Sequence, residues 1–327
     1  MSTVRVVVTG ATGQVAYALL PRIAAGEMFG PDTEIDLRLS DIPQMIEKAK
    51  GVVMELMDGA YPLLANVSAS GDRAETHKDA DWVLLVGSVP RGPGMERGDL
   101  IRKNGPIFVD EGRAIAEHGS KNVRAVVIGN PCNTNCLIAR HAAGDRVPAD
   151  RWTALTRLDQ NRATSQLAAK AKMRTKDVRH LAIWGNHSAT LYPDFTNATV
   201  GGKPADQTVE RAWLETEFIP AVQQRGAAVI AARGASSAFS AAQGIVDHVK
   251  SLVNRTPGDD WFSAAVVSDG SYGVARGIVS SFPLQSKGDG GYEIVQGVKL
   301  DAFARTKIEA TIAELEKERD IVKDLLG

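Results

Sequence analysis

The start of the chain constrains the fold more than any other segment. A β-branched run over residues 4–9 leads directly into Gly10-Ala-Thr-Gly-Gln-Val-Ala16, and a helical pattern covers residues 15–25. A strand, a glycine turn and a helix in this order let the backbone approach a pyrophosphate, to which the helix N-terminus presents free N–H groups. The spacing G-x-x-G-x-x-A departs from G-x-G-x-x-G, so a tight structural turn is the alternative interpretation.

Three further segments are predicted to be strands, and the second and third of them are apolar runs typical of buried parallel strands. They cover residues 35–40, 82–87 and 124–129. Helical patterns over residues 44–56 and 107–118 alternate with these runs. The alternation predicts an α/β fold with a doubly wound parallel sheet.

Polar residues follow these strands at their carboxyl ends. Asp41 ends the second strand, where a carboxylate can accept hydrogen bonds from an adenosine ribose; a helix cap is the alternative. The third strand is followed by Val89-Pro-Arg91-Gly-Pro-Gly-Met-Glu-Arg97-Gly98, and the fourth by Asn130. Two guanidinium groups in one glycine- and proline-rich loop suit a ligand with two carboxylates, unless the loop is an ordinary solvated one.

Length and charge limit the number of domains and the classes of partner. The 327 residues suit two domains, which we expect to cover residues 1–153 and 154–327. A net charge of -1 provides no general attraction to nucleic acid or to an anionic membrane. The first residues enter a strand at once, which leaves no room for a targeting segment, and no apolar run approaches the roughly 20 residues of a membrane span. We therefore expect a cytoplasmic enzyme.

The cysteine content argues against a disulfide framework and against a metal site. Cys132 and Cys136 are the only two cysteines, and no pair of histidines with ligand spacing accompanies them. Two thiols alone rarely hold a metal, so both are predicted to be reduced packing residues.

The second half contains a candidate acid/base pair. Thr156-Arg-Leu-Asp159-Gln-Asn-Arg162 opens a helical pattern that extends to Met173, and Trp184-Gly-Asn-His187-Ser188 places a histidine on a turn. An aspartate within reach of a histidine fixes its tautomer and orientation, which is the usual arrangement for general acid/base chemistry. A single histidine on a turn is more often structural, but the flanking residues favour the functional interpretation here.

Together these motifs resemble the NAD-dependent malate dehydrogenases of the lactate/malate dehydrogenase superfamily. The matching segments are Gly10-Ala-Thr-Gly-Gln-Val-Ala16, Arg91-Gly-Pro-Gly-Met-Glu-Arg97, Gly129-Asn-Pro131, Leu158-Asp-Gln-Asn-Arg162 and Trp184-Gly-Asn-His-Ser188. They occur in family order, and the chain is most similar to the branch with cytosolic-type eukaryotic and bacterial members. The resemblance implies a Rossmann-type doubly wound parallel sheet followed by an α+β catalytic domain, and a homodimer.

The resemblance also implies a role for each matching residue. His187 is implied as the proton acceptor and Asp159 as its orienting partner. The implied substrate contacts are Arg91, Arg97, Asn130 and Arg162. The implied contacts to NAD are Gly10, Ala11, Thr12, Gly13, Gln14, Val15, Ala16, Asp41, Asn104, Glu111, Ile128, Gly129 and Asn130. Ser240 falls in a stretch of small residues that lines the family's active site, although Phe239 departs from the small residue expected beside it.

The chemistry of these residue types agrees with the oxidation of malate to oxaloacetate. A hydride leaves C2 for the nicotinamide and a proton leaves the hydroxyl for His187. Arg162 can bind the carboxylate beside C2, Arg97 can polarise the carbonyl oxygen, and Arg91 can pair with the distal carboxylate. Closure of the arginine loop would expel water from the hydride path.

The remainder of the second half is predicted to mix helices with short strands. Helices over residues 212–232 and 235–253 meet at Gly234, and short strands lie near residues 264–268, 277–281 and 292–295. A final amphipathic helix covers residues 301–325. Its charged residues are interpreted as a solvated face: Glu314, Glu316, Lys317, Glu318 and Arg319.

Three other classes of protein fit the sequence less well. A lactate-type 2-hydroxyacid dehydrogenase has the same fold and chemistry but typically has a glutamine where Arg91 stands. A short-chain dehydrogenase needs a Tyr-x-x-x-Lys pair, which none of the five tyrosines forms. A catalytically silent NAD-binding sensor predicts loss of the catalytic set, yet Asp159, His187 and the arginines are all present.

Overall fold

Most strands of the molecule belong to one large sheet that both halves of the chain build. The computed structural model describes residues 2–90, 92 and 94–326. The strands in this part of the chain are β1 (Ser2–Thr9), β2 (Thr33–Ser40), β3 (Leu64–Ser70), β4 (Trp82–Leu85), β5 (Arg124–Val127), β6 (Trp152–Ala154), β7 (Val178–Arg179), β8 (Ala182–Trp184), β9 (Tyr192–Asp194), β10 (Thr199–Val200), β11 (Lys203–Pro204), β12 (Phe262–Val267), β13 (Val279–Gln285) and β14 (Glu293–Ile294). The nine-stranded sheet has the order β14-β13-β12-β6-β5-β4-β1-β2-β3. Strands β11, β10 and β7 form a second sheet, and β8 pairs with β9.

Strands β1 to β6 run parallel to one another. β1 lies between β2 and β4, with Val4 opposite Ile35 and Val8 opposite Leu84. The chain winds outward from β1 in both directions, which leaves a crevice at the carboxyl ends of β1 and β4. This arrangement confirms the predicted α/β class and the doubly wound parallel sheet.

The second half of the chain extends the same sheet with antiparallel strands. β12 pairs with β6, placing Ala265 opposite Ala154, and β13 and β14 follow outward. The sheet therefore continues without interruption across the expected boundary between residues 153 and 154, which falls inside β6. The division into two domains at that position stays a prediction.

Helices cover both faces of the large sheet. They are α1 (Gln14–Ala24), α2 (Ile46–Asp58), α3 (Arg73–His77), α4 (Arg97–His118), α5 (Cys132–Ala143), α6 (Arg157–Lys170), α7 (Ala205–Thr208), α8 (Arg211–Trp213), α9 (Ile219–Gln223), α10 (Arg225–Arg233), α11 (Phe239–Val253) and α12 (Ala302–Ile321). On β1, Val6 and Val8 pack into the core on one face, whereas Val7 packs into the core on the other. Burial on both faces explains why Val6, Val7 and Val8 of β1 and all four residues of β4 are apolar. No helix within the described residues is long and apolar enough to cross a membrane.

Two helices differ most from their predicted extent. α4 begins at Arg97, ten residues before the predicted start, with a capping box formed by Glu96 and Asp99. Gly105 and Pro106 conceal this helix in the sequence, because both residues are poor helix formers. The predicted helix over residues 212–232 is interrupted by a wider π-helical turn, Leu214–Phe218. Its predicted end at Gly234 is confirmed, since this residue adopts a left-handed φ of +74° after α10.

His248 is a completely buried histidine on α11. Its Nε2 lies 2.9 Å from the Oγ1 of Thr153 on β6. Burial, assisted by the nearby positive charge of Arg157, lowers the pKa of His248 to about 3. The imidazole therefore stays neutral in the folded protein at pH values where a solvated histidine would be charged.

We expect His248 to make the folded protein sensitive to mild acid. Below the ordinary pKa of 6.5 the unfolded chain binds a proton here, whereas the folded protein resists protonation until the pH approaches about 3. The free energy of unfolding should fall by about 1.4 kcal/mol per pH unit in this window from His248 alone. Urea titrations at neutral pH and at about pH 5 measure the loss of unfolding free energy between the two pH values. This loss should be smaller for His248→Gln than for wild type. The matched control is His141→Gln at an exposed histidine, and equal acid sensitivity of both variants would contradict the prediction.

Candidate active site

The glycine turn after β1 is pressed against the loop that follows β4. Gly10 has a φ of +59°, and a Cβ at this position would lie 2.5 Å from the Cα of Gly87. Both the conformation and the lack of space therefore require glycine at residue 10. Immediately after this turn α1 begins at Gln14, with no acidic residue in its first turn. The backbone N–H groups and the helix dipole at this end are suited to binding an anion.

Hydrogen bonds to Asp41 connect the same turn to the end of β2. Its Oδ2 accepts hydrogen bonds from the backbone N–H (2.9 Å) and the Oγ1 (2.8 Å) of Thr12, and its Oδ1 accepts one from the backbone N–H of Ile42. The short helical turn that follows has Ile42, not Asp41, at its N-cap, so the helix-cap interpretation of Asp41 is wrong. A carboxylate offers about four acceptor positions, which leaves capacity for ribose hydroxyls.

Asn104 ties together the loops that follow β4 and β5. Its side chain is completely buried and bonds the backbone N–H (2.8 Å) and C=O (3.2 Å) of Val89 and the C=O of Asn130 (2.9 Å). Asn130 itself is exposed at the strand end, and its peptide bond to Pro131 is cis. The structure therefore shows Asn104 holding two loops in place, and a direct contact of Asn104 with the cofactor stays a prediction.

Ile128 and Gly129 continue from β5 close to β4. Their backbone N–H groups both donate to the C=O of Leu85, at 3.0 and 2.9 Å. A Cβ at Gly129 would lie 2.9 Å from Phe108 Cζ and from Ser88 Cβ. Glycine is needed here because the two strand-end loops and α4 meet without space for a side chain.

His187 and Asp159 form a pair although 28 residues separate them in the sequence. The Nδ1 of His187 is hydrogen bonded to Oδ2 of Asp159, which lies completely buried in the first turn of α6. The other oxygen of Asp159 accepts a hydrogen bond from Arg162 Nη1 at 3.3 Å. The His187 side chain is 19% exposed, so a small ligand can reach it. Because Nδ1 is engaged, Nε2 is the nitrogen suited to exchange a proton with a ligand.

Ser237 contacts Arg162 from the loop before α11. Arg162 Nη2 donates to the Oγ of Ser237 at 3.3 Å. Ser240, which the resemblance places in a stretch lining the active site, is exposed in the structure. Several serines lie in one stretch of small residues, and nothing in their spacing shows which of them reaches the arginine. The role of Ser240 stays a prediction.

The turn that carries His187 is held by Asn133 from α5. The buried Asn133 accepts a hydrogen bond from the backbone N–H of His187 at 3.0 Å and donates to the C=O groups of Gly185 (3.2 Å) and Val279 (3.0 Å). The sequence pattern did not assign this residue a role. The available signal was the polar cluster after the fourth strand, in which Asn133 follows Pro131 and Cys132.

The last helix contributes a buried carboxylate, which contradicts the predicted solvated face. Glu318 is 3% exposed and accepts hydrogen bonds from Arg97 Nε, Thr134 Oγ1 and Asn186 Nδ2. The prediction was wrong for this residue because a charged side chain on a helix needs to face solvent only when the folded protein provides no hydrogen-bond donors for it. Arg97 therefore lies beside α12, and its contact with the substrate stays a prediction.

Glu314, one turn earlier on α12, binds the other side of the histidine turn. It accepts hydrogen bonds from Asn186 (2.8 Å), Thr190 (2.7 Å) and Ser188. Burial acts to raise the pKa of Glu314, but the three hydrogen bonds and the charge of Arg97 outweigh it and lower the pKa. The solvated-face prediction therefore also fails for Glu314.

The roles predicted for Arg91 and Glu111 stay predictions. Arg91 lies outside the described residues, so its role stays a prediction. Glu111 lies in a separate buried cluster, with its carboxylate 2.7 Å from Arg73 Nε and 3.2 Å from His77 Nε2. Burial acts to raise the pKa of Glu111, but interactions with His77 and Arg73 lower it overall. A contact between Glu111 and the cofactor likewise stays a prediction.

The two cysteines lie on α5 behind the strand-end loop. Both are free and completely buried, which confirms their prediction as reduced packing residues. Burial raises the pKa of the Cys132 thiol to about 12, so this thiol is not a nucleophile at neutral pH. Among residues 2–90, 92 and 94–326, no group of three or more His, Cys, Asp or Glu side chains could hold a metal ion.

Two family models match the chain one after the other. The model for the NAD binding domain of lactate/malate dehydrogenase matches residues 4–148. The model for the alpha/beta C-terminal domain of lactate/malate dehydrogenase matches residues 156–325. A malate dehydrogenase of Magnetococcus marinus is 52% identical over 324 residues, which cover 99% of this chain and 98% of that protein.

Solved structures of similar proteins have the same fold over their whole length. Malate dehydrogenase from Naegleria fowleri has a TM-score of 0.95 and 41% sequence identity, with 100% of this chain and 99% of that chain covered. Trichomonas vaginalis lactate dehydrogenase in complex with NADH and oxamate has a TM-score of 0.94 and 34% identity, with 99% of both chains covered. The similar proteins therefore include both a malate and a lactate dehydrogenase.

The close packing at Gly185, two residues before His187, leads to a stability prediction. Gly185 has a φ of +86°, and a Cβ here would lie 1.9 Å from Thr311 Cγ2. Gly202 is the matched control, because its φ is +80° but nothing lies within 4 Å of an added Cβ. Gly185→Ala should lower the free energy of unfolding by about 1–3 kcal/mol more than Gly202→Ala, since only the first is overpacked. Equal losses of unfolding free energy in urea titrations would show that Thr311 can move away from the added methyl group without a loss of stability.

Proposed function

Since the chain belongs to the lactate/malate dehydrogenase family, we propose that it catalyses reversible hydride transfer between (S)-malate and NAD, giving oxaloacetate and NADH. The observation that carries this proposal is the contact of His187 with the buried Asp159, beside Arg162. The name of the 52% identical relative supports the same substrate. In this proposal residues 1–153 hold the cofactor and residues 154–327 provide the acid/base chemistry.

His187 is the general acid/base of the proposed reaction. Asp159 engages Nδ1, so the proton of the malate hydroxyl moves to Nε2. The negative charge of Asp159 stabilises the imidazolium that results, and the hydrogen bond keeps the ring oriented. In the reverse direction the same nitrogen returns the proton to the carbonyl oxygen of oxaloacetate.

Arginines and one asparagine bind the substrate in this proposal. Arg162 lies across the Asp159 carboxylate from His187, a placement that suits the carboxylate next to the reacting carbon. Arg97 polarises the carbonyl oxygen as negative charge develops there, and Arg91 pairs with the distal carboxylate. Asn130, exposed at the end of β5, contacts substrate and cofactor.

The NAD cofactor accepts or donates the hydride, and the chain supplies its binding groups. The pyrophosphate is suited to the turn from Gly10 to Ala16, which includes the start of α1. Gly10 and Gly87 are in contact there and neither has a side chain, so the pyrophosphate can approach the backbone closely. Asp41 binds the adenosine ribose and repels the additional phosphate of NADP. Asn104, Glu111, Ile128, Gly129 and Asn130 complete the proposed contacts.

The proposal includes a cytoplasmic homodimer. Met54 and Met57 are 63% and 65% exposed one helical turn apart on α2, and a second copy of the chain packed there would remove their apolar surface from water. A net charge of -1 supports neither nucleic acid nor membrane as a partner. The reaction is that of a malate-oxidising step of the tricarboxylic acid cycle.

The first functional prediction is a strong preference for oxaloacetate over pyruvate, which lacks the distal carboxylate. Without that carboxylate the charge of Arg91 remains unpaired, at a cost on the order of 2–5 kcal/mol, or a few tens to several thousand fold in kcat/KM. The absorbance of NADH reports both rates. Arg91→Gln should lower the ratio of kcat/KM for oxaloacetate to kcat/KM for pyruvate, chiefly because activity with oxaloacetate is lost. Arg102→Gln, at an exposed arginine of α4, is the control. Equal use of both substrates by the wild type would favour a lactate-type enzyme instead.

The second functional prediction concerns the proton. His187→Ala should lower kcat by about 10²–10⁴-fold, the usual contribution of a general acid/base. Binding of NADH, followed by fluorescence, should persist. Malate oxidation needs a neutral imidazole and oxaloacetate reduction a protonated one, so kcat/KM should rise with pH in the first direction and fall in the second. A His187→Ala protein with near-normal kcat and unchanged pH profiles would assign the proton to another group.

A further inference from the structure

A buried ion pair joins Arg97 to the C-terminal helix. Glu318 is 3% exposed and accepts a hydrogen bond from the Nε of Arg97, 221 residues away in the sequence. Asn186 Nδ2 donates to the same oxygen at 2.8 Å, and Thr134 Oγ1 donates to the other. Three donors from three different segments fix the position of this carboxylate.

The hydrogen bonds of Arg97 leave one end of its guanidinium group for a ligand. Nε is engaged by Glu318, whereas the buried Nη2 donates to no acceptor among the described residues. A buried donor without a partner is costly, which points to an acceptor that arrives with a ligand. Because a guanidinium group is planar and rigid, a bond at Nε also sets the direction of both terminal nitrogens. The Arg97 side chain as a whole is 32% exposed, so it lies at the border between solvent and the buried Glu318.

The same carboxylate is connected to the turn of the proposed acid/base residue. Asn186 directly precedes His187, and its Nδ2 donates to both Glu318 and Glu314 at 2.8 Å. Its backbone N–H donates to Thr311 Oγ1 on α12 at 2.9 Å. One helix therefore sets the position of Arg97 relative to the histidine, which is the kind of preorganisation that electrostatic catalysis requires.

We propose that Glu318 is a positioning residue, which anchors Arg97 through Nε and thereby directs its terminal nitrogens at the carbonyl oxygen of the bound 2-oxo acid. This proposal rests on the reaction proposed above, in which Arg97 polarises that oxygen. In this proposal Glu318 acts only through Arg97. The opposite role, competition with the substrate for Arg97, would make removal of the carboxylate beneficial, so the two roles predict opposite changes.

The test compares Glu318→Gln with wild type. The amide keeps the shape of the side chain but loses the charge that holds Nε, and a displacement of Arg97 by about 1 Å is expected to lower kcat by tenfold to a hundredfold. KM for the 2-oxo acid should rise less than kcat falls, because the contact of Arg97 with the carbonyl oxygen is present on binding but strengthens in the transition state. Glu318→Asp keeps the charge, but its shorter side chain places the carboxylate farther from Nε of Arg97, so kcat should also fall. This variant replaces Glu318→Gln in the test if Glu318→Gln does not fold.

A double-mutant cycle separates positioning from a purely structural role. Arg97→Lys lacks the Nε atom, so adding Glu318→Gln to it should cause little further loss of kcat, whereas independent effects would multiply. Thermal unfolding and NADH binding are measured on each variant. The matched control is Glu309→Gln, which removes a carboxylate from an exposed position of α12 and should leave kcat unchanged.

The outcomes distinguish this inference from the proposed function. The kinetics are measured with whichever 2-oxo acid the wild type reduces, and the affinity of oxamate for the NADH complex is titrated in parallel. A wild type that reduces only pyruvate refutes the proposed substrate, yet a low kcat of Glu318→Gln with pyruvate still supports the anchor. In a wild type without turnover, weaker oxamate binding in Glu318→Gln supports the anchor and unchanged binding overturns it. A folded Glu318→Gln protein with normal or raised kcat, or multiplicative losses in the cycle, also overturns it.

Discussion

The charge of Asp159 organises the site, because no part of this carboxylate is exposed to water. A buried ion needs compensation, and here one oxygen meets His187 while the other meets Arg162. Its place in the first turn of α6 adds the positive end of the helix dipole. The carboxylate of Asp159 consequently fixes the positions of both His187 and Arg162. The proposed acid/base residue and the proposed carboxylate-binding arginine are therefore held side by side by the same buried ion.

The sheet explains how residues from distant segments reach that point. Parallel strands end on a common edge, so the glycine turn after β1 and the loops after β4 and β5 are neighbours. The buried amides of Asn104 and Asn133 then tie those loops to one another and to the histidine turn. The last helix closes the arrangement with Glu314 and Glu318. Precision in this site depends on buried polar side chains whose hydrogen bonds hold loops in place.

Much of the first half could be predicted from local pattern. Buried parallel strands are continuously apolar, and the requirement for glycine at residue 10 is visible as a motif, since only glycine fits its φ of +59° against Gly87. Helix α4 was predicted too short because Pro106 and the glycines around it have low helix propensity, which tertiary packing overrides. Glu318 was predicted to be solvated because an amphipathic pattern reports charge, and it does not report which donors the fold brings to that charge.

The sequence by itself therefore determined the α/β class, the glycine turn, the pair of cysteines as packing residues and the residue types of the site. These features depend on interactions between near neighbours in the chain or on composition. Only the tertiary structure decided that Asn133 holds the histidine turn, that Ser237 contacts Arg162, and that a carboxylate of the last helix binds Arg97. Each of these contacts joins segments far apart in sequence, and its energy depends on burial and donor geometry that exist only after the chain has folded.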